Sequence, residues 1–221
     1  MKLLLTDAGI QNTSIRAALV EMLGKPIEEC NALAIPTALY GHPHAGPRMA
    51  YRFFTSTTGN VMLELGWKTM AVLELTALPT LQREIWVPLV EDADVFLVAG
   101  GDCAYLAYWL RESGLTDMLP NLHAVWFGLS GGSIVMTPRA GRRFINWPEP
   151  GANDKMLGFV DFAIFPHLNA AGLTGHSMED AERWFETMDV PAYVTDEQTA
   201  IKVVDGQVEV ISEGTWKYLP G

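Results

Sequence analysis

Between the apolar run Val125-Trp126-Phe127 and a helical pattern that begins at Gly131 stand Gly128-Leu129-Ser130-Gly131-Gly132. These five fit Gly-x-Ser-x-Gly in the setting that the pattern needs, a sharp turn from a buried strand into a helix. Such a turn presents a serine hydroxyl above the carboxyl end of the strand. It also aims the N–H of the next residue, Gly131, at the position where an oxyanion would form. The competing structural reading is a glycine turn in which Ser130 caps a helix. A second glycine turn, Val98-Ala99-Gly100-Gly101-Asp102, also follows a buried strand. A backbone without Cβ can approach a reacting carbonyl closely, so Gly101 N–H is the candidate second oxyanion donor; an ordinary strand–helix connection is the alternative.

A serine hydroxyl needs a base. Of the five histidines, His167 directly follows the apolar run Phe162–Pro166, which reads as a strand. Side chains at the carboxyl ends of parallel strands converge on one crevice, and Ser130 would share it. A histidine satisfied within the core is the alternative. His42 and His44 form His-x-His without a third ligand at a suitable spacing, so they read as a solvent loop. There is neither a Gly-x-Gly-x-x-Gly nor a Walker sequence, and no cofactor or metal is implied.

The elements that must position these groups follow from the chain at large. Its 221 residues, half of them apolar and 19% charged, are enough for a sizeable core and exclude disorder or a coiled coil. One α/β domain over residues 1–221 is expected. A net charge of −11 repels phosphate backbones and anionic lipid, which argues against nucleic-acid and membrane partners. Cys30 and Cys103 form no disulfide framework. The opening MKLLLTDAGI is shorter in its apolar run than a signal-peptide core, so a cytoplasmic address is expected. Short apolar runs at Lys2–Thr6, Ala32–Ala38, Thr69–Leu75, Asp94–Val98 and His123–Phe127 alternate with helical patterns at Ser14–Leu23 and Ala104–Ser113. That alternation predicts a mostly parallel sheet with helices on both faces. Asp205-Gly206, between two β-rich runs, predicts a C-terminal β-hairpin.

Taken together, these residues resemble the S51 serine peptidases, which include aspartyl dipeptidase (peptidase E) and, more distantly, cyanophycinase. The resemblance is carried by Gly100-Gly101, the Gly128–Gly132 elbow, Pro166-His167 thirty-seven residues after Ser130, and Gly175-His176 with Glu179. It implies a flavodoxin-like three-layer sandwich, similar to class I glutamine amidotransferases. It also implies Ser130 as nucleophile, His167 as base, and Gly101 and Gly131 as the oxyanion hole. The substrate implied is a small peptide, with N-terminal Asp as the narrower reading; a monomer or homodimer is expected.

The chain departs from the family pattern in places. Gly131 stands where alanine is usual, and Ala99-Gly100-Gly101-Asp102 replaces Gly-Gly-Gly-Asn. Asp102 is a candidate partner for a substrate α-amino group, and Glu179 a second substrate-binding residue. Where the family has an acid about fifteen residues after the serine, this chain reads Phe144-Ile145-Asn146. Asn146 is therefore the first candidate for the third triad member, and Glu149 the second. The arginine that would hold a substrate carboxylate falls at Ala181, with Arg183 two residues on. Arg139, Arg142 and Arg143 read first as a solvated basic loop and second as substitute cations. Two other functions stay open, hydrolysis of a different amide or ester and an inactive binding module.

Overall fold

The computed structural model describes residues 1–55, 61–148 and 153–221. Its larger sheet is built from β1 (Lys2–Thr6), β2 (Asn31–Ile35), β3 (Thr69–Val72), β4 (Val95–Val98), β5 (Val125–Leu129), β8 (Thr199–Val204) and β9 (Gln207–Ser212). A smaller sheet holds β6 (Ala163–Phe165), β7 (Ala192–Thr195) and β10 (Trp216–Leu219). The helices are α1 (Thr13–Leu23), α2 (Ala38–Gly41), α3 (Gly46–Phe54), α4 (Arg83–Glu91), α5 (Cys103–Glu112), α6 (Leu115–Met118), α7 (Gly131–Ile134) and α8 (Met178–Phe185).

The large sheet runs β3-β2-β4-β5-β1-β8-β9. The strands from β3 to β1 pair in parallel, and β8 and β9 close the edge antiparallel. Every residue of β4 and β5 is buried, as expected of parallel strands covered on both faces. One apolar cluster, with Phe96, Trp126 and Leu106, fills one face; another, with Leu4, Leu97 and Phe127, fills the other. The result is the three-layer α/β sandwich. Local chemistry sets the helix ends. Asn12 caps α1 by accepting from Ile15 N–H at 2.9 Å, and Gly24 ends it in the left-handed region. Ser177 and Asp180 form a capping box on α8. Helix α4 has no capping side chain and carries Pro88 in its interior, and the burial of Trp86 and Val90 anchors it.

Asp205-Gly206 does turn β8 into β9, with Val203 opposite Val208. The chain continues past that hairpin, and β10 crosses to pair antiparallel with β7. Strands β6 and β7 stay out of the large sheet and pair with each other in the small one, over a third core that contains Phe165, Ala181 and Trp184. Among the described residues no helix is long and apolar enough to cross a membrane.

Candidate active site

Ser130 lies at the end of β5 with φ 49° and ψ −112°, a region rarely entered by a residue with a side chain. Neighbouring contacts hold it there. Ser130 N–H donates to Thr6 O at 2.8 Å. Ser133 Oγ accepts from Thr6 N–H at 2.9 Å and donates to Thr6 O at 2.8 Å, which ties the elbow to β1 twice. The turn is also packed against the neighbouring loop. A Cβ on Gly132 would lie 2.5 Å from Val98 O, so no larger residue fits without moving backbone. Gly101, at φ 130°, packs its backbone against Gly131, and neither N–H finds an acceptor among the described residues.

His167 lies two residues beyond the end of β6 and also has a left-handed backbone, φ 61°. Its Nε2 is 2.8 Å from Ser130 Oγ. Asp7, at the carboxyl end of β1, accepts the His167 backbone N–H at 2.7 Å on one oxygen and the Thr195 hydroxyl at 2.9 Å on the other. Leu168 N–H donates to Thr195 O, and Asn169 N–H to His176 O, each at 2.8 Å. A single buried carboxyl thus joins the large sheet to the base on the small one.

Burial lowers the His167 pKa to about 4, helped by the neighbouring His176, whose ring centre is 6.0 Å away. The ring is therefore neutral near pH 7 and able to accept a proton from Ser130. Its Nδ1 is buried without a hydrogen-bond partner among the described residues. Burial likewise pushes Asp7 well above the usual carboxylate range, against the pull of its bonds to His167 and Thr195. The charges of Asp196 and Glu197 add to the rise.

Over the pair opens a pocket of about 490 Å³, walled by both glycine turns and by side chains from α3, the segment after α7 and the loop after β6. Residues 3–211 match the profile of Peptidase family S51. The chain belongs to this family. Among solved structures, a candidate peptidase E protein from Listeria monocytogenes EGD-e is similar at 16% identity and TM-score 0.68, with 96% of this chain and 98% of that one covered. A peptidase from an acI-B1 Actinobacterium is similar at 21% identity and TM-score 0.68, over 100% and 91% of the two chains. No curated protein matches by sequence. Membership of family S51 supports a peptidase, and the two structures share the fold.

Against that family frame, the other residues singled out in the sequence fall in different places. Asp102 is fully buried: one carboxylate oxygen accepts Tyr105 N–H at 2.8 Å, and the other accepts Asn146 N–H at 2.6 Å and Trp147 N–H at 2.8 Å. Three backbone donors occupy it and it does not line the pocket, so the expected role toward a substrate amine gives way to capping α5 and holding the Asn146 segment. Asn146 does line the pocket, but His167 Nδ1 is without a partner and the two do not bond. Glu149 lies outside the described residues. Glu179 is exposed on α8, 3.7 Å from Arg183, and away from the pocket wall. Ala181 is buried in the third core, and Arg183 pairs with Asp180.

Sequence reasoning missed Asp7, Ser133 and Glu197, and named Arg143 as a cation only second to a solvated loop. Only Asp7 carried a signal, a lone acid ending an apolar strand at the edge where crevices form. The others depend on which distant segments meet.

Proposed function

We propose that this family S51 chain is a serine-type peptidase acting on small peptides. The observation that carries the reading is the 2.8 Å contact between Ser130 Oγ and His167 Nε2 at a strained elbow. Ser130 Oγ attacks the scissile carbonyl carbon while His167 Nε2 takes the hydroxyl proton. The Gly101 and Gly131 N–H groups hold the oxyanion of the tetrahedral intermediate. His167 then gives the proton to the leaving amine, the C–N bond breaks, and water releases the acyl group by the same steps reversed. A pocket of about 490 Å³ suits a dipeptide better than a folded chain.

Among the described residues, the carboxylates on the pocket wall are Asp7 and Glu197. Asp7 serves the His167 backbone N–H, and among the described residues no carboxylate bonds Nδ1. Preference for an N-terminal Asp does not rest on residue 181, since Ala181 is buried in the core.

The test pairs the wild type with Ser130→Ala on a panel of Xaa-Leu dipeptides, together with fluorophosphonate labelling read by intact mass. Cleavage and labelling by the wild type alone support the reading. Labelling without cleavage keeps the machinery and moves the substrate to another amide or ester. Neither result leaves an inactive binding module, the reading that the unpartnered Nδ1 favours.

A further inference from the structure

We infer that Arg143 selects the substrate by binding a carboxylate of the peptide, an inference that rests on the peptidase reading above. Among the described residues, six ionisable side chains line the pocket: Asp7, His42, Arg143, His167, His176 and Glu197. Arg143 is the permanent cation in that set.

In a chain of net charge −11, several cations are already matched by carboxylates. Arg139 is held by Asp154 and Asp189, Lys202 by Glu21 and Glu209, and Arg183 by Asp180. Arg143 has no carboxylate partner among the described residues. Its guanidinium donates to the Gly175 carbonyl and lies 5.6 Å from the ring centre of Phe165 and 5.9 Å from that of Phe144. One of its five N–H donors is engaged there, and the planar fork keeps donors for a bidentate carboxylate. The carbonyl and the rings fix the fork before a ligand arrives, which lowers the ordering cost of binding. Arg142 does not line this pocket.

The position also suits the chemistry. The His176 ring is 6.0 Å from that of His167 and 5.6 Å from that of Phe165, over which Arg143 sits. A peptide with its scissile carbonyl at Ser130 and an anionic group extending past His176 would reach the guanidinium. That carboxylate is either the free C-terminus of a dipeptide or an acidic side chain beside the scissile bond. Glu197 on the same wall disfavours anionic ligands unless a cation opposes it.

Binding to Ser130→Ala, measured by calorimetry with Ala-Leu, Ala-Leu amide and Asp-Leu amide, tests the inference without hydrolysis. A partly exposed charge-assisted pair should give about tenfold preference for one carboxylate ligand over Ala-Leu amide. Ala-Leu as the tighter ligand assigns the C-terminus, and Asp-Leu amide assigns the side chain. Adding Arg143→Gln should abolish the preference, and Arg143→Lys should restore part of it. Equal binding of all three peptides, no binding by any, or a preference that survives Arg143→Gln overturns the inference. Failure of the peptidase reading shows separately, as a wild type that hydrolyses nothing while Ser130→Ala still discriminates.

Discussion

The nucleophile and the base are held by two regions of different construction. Ser130 stands on a turn whose restraints are close at hand: β1 and β5 are adjacent parallel strands, and Thr6 receives both the elbow N–H and the Ser133 hydroxyl. His167 stands on the small sheet, at a left-handed position kept in place by Asp7 and by Thr195 and His176 backbone carbonyls. The elbow is rigid because packing leaves its backbone one path. The base is positioned through a few polar contacts between separate sheets. Damage to the elbow should therefore be steric and severe, whereas damage to the base support should be polar and graded.

Gly132→Ala is the sharpest way to break the elbow. Its Cβ would meet Val98 O at 2.5 Å, with Ala99 O at 2.9 Å, so strand-end backbone must shift. Overpacking of this kind costs about 1–3 kcal/mol. A displaced Ser130 should also lose activity by roughly a hundredfold or more, because a misplacement of about 1 Å has that effect. Thermal melts and kcat/KM on a cleaved dipeptide check both. A Gly132→Ala protein with native melting and native kcat/KM would show that the elbow is not rigid.

Asp7→Ala probes the other region. It leaves the buried His167 N–H and the Thr195 hydroxyl without their acceptor, at a cost of about 1–3 kcal/mol. The base loses its support while the elbow is untouched, so kcat should fall by about tenfold to a hundredfold with little change in labelling stoichiometry. Equal losses from Asp7→Ala and Gly132→Ala in both stability and kcat would erase the distinction between the regions.

These two regions also divide what the sequence reveals from what it hides. The elbow is legible because its requirement is local: small residues around a serine, between an apolar strand and a helix. The parallel sheet is legible for the same reason, through runs such as Val95–Val98. The support of His167 is not, since Asp7 and Thr195 are 160 and 188 residues away from their partners in the chain. Asp102 misled for a related reason. Next to a glycine turn it reads as a ligand, but three backbone N–H groups claim it, two of them more than forty residues away. The separate small sheet stayed hidden because the apolar runs of β6 and β7 do not say which strands they will join.

The pH profile sharpens the contrast further. His167 must be neutral to take the serine proton, and burial with His176 nearby lowers its pKa to about 4. The acid limb of kcat/KM should therefore fall near pH 4 rather than near the usual histidine value of about 6.5. A limb near 6.5 would mean that the ring is solvated or paired in the working enzyme. Asn146→Ala, which removes a side chain that lines the pocket without bonding Nδ1, should leave kcat within a few fold of wild type.

Asp7→Asn should have the smallest effect on activity and separates hydrogen bonding from charge. The amide oxygen can accept the His167 N–H as the carboxyl does, and the amide nitrogen can donate to Thr195 Oγ1. The base should keep its place, with kcat within a few fold of wild type. Stability should respond differently. Burial raises the Asp7 pKa in the folded state, so the folded protein holds that proton more tightly than the unfolded chain does. The associated stability is present below the unfolded carboxylate range and is lost as pH rises through the folded value. An asparagine has no such titration, so Asp7→Asn should melt higher than wild type above that window, with the gap closing as pH falls into it. Melting curves from pH 4 to pH 9 decide the matter. A constant gap across that range would mean that the carboxyl does not titrate there and that its two hydrogen bonds act alone.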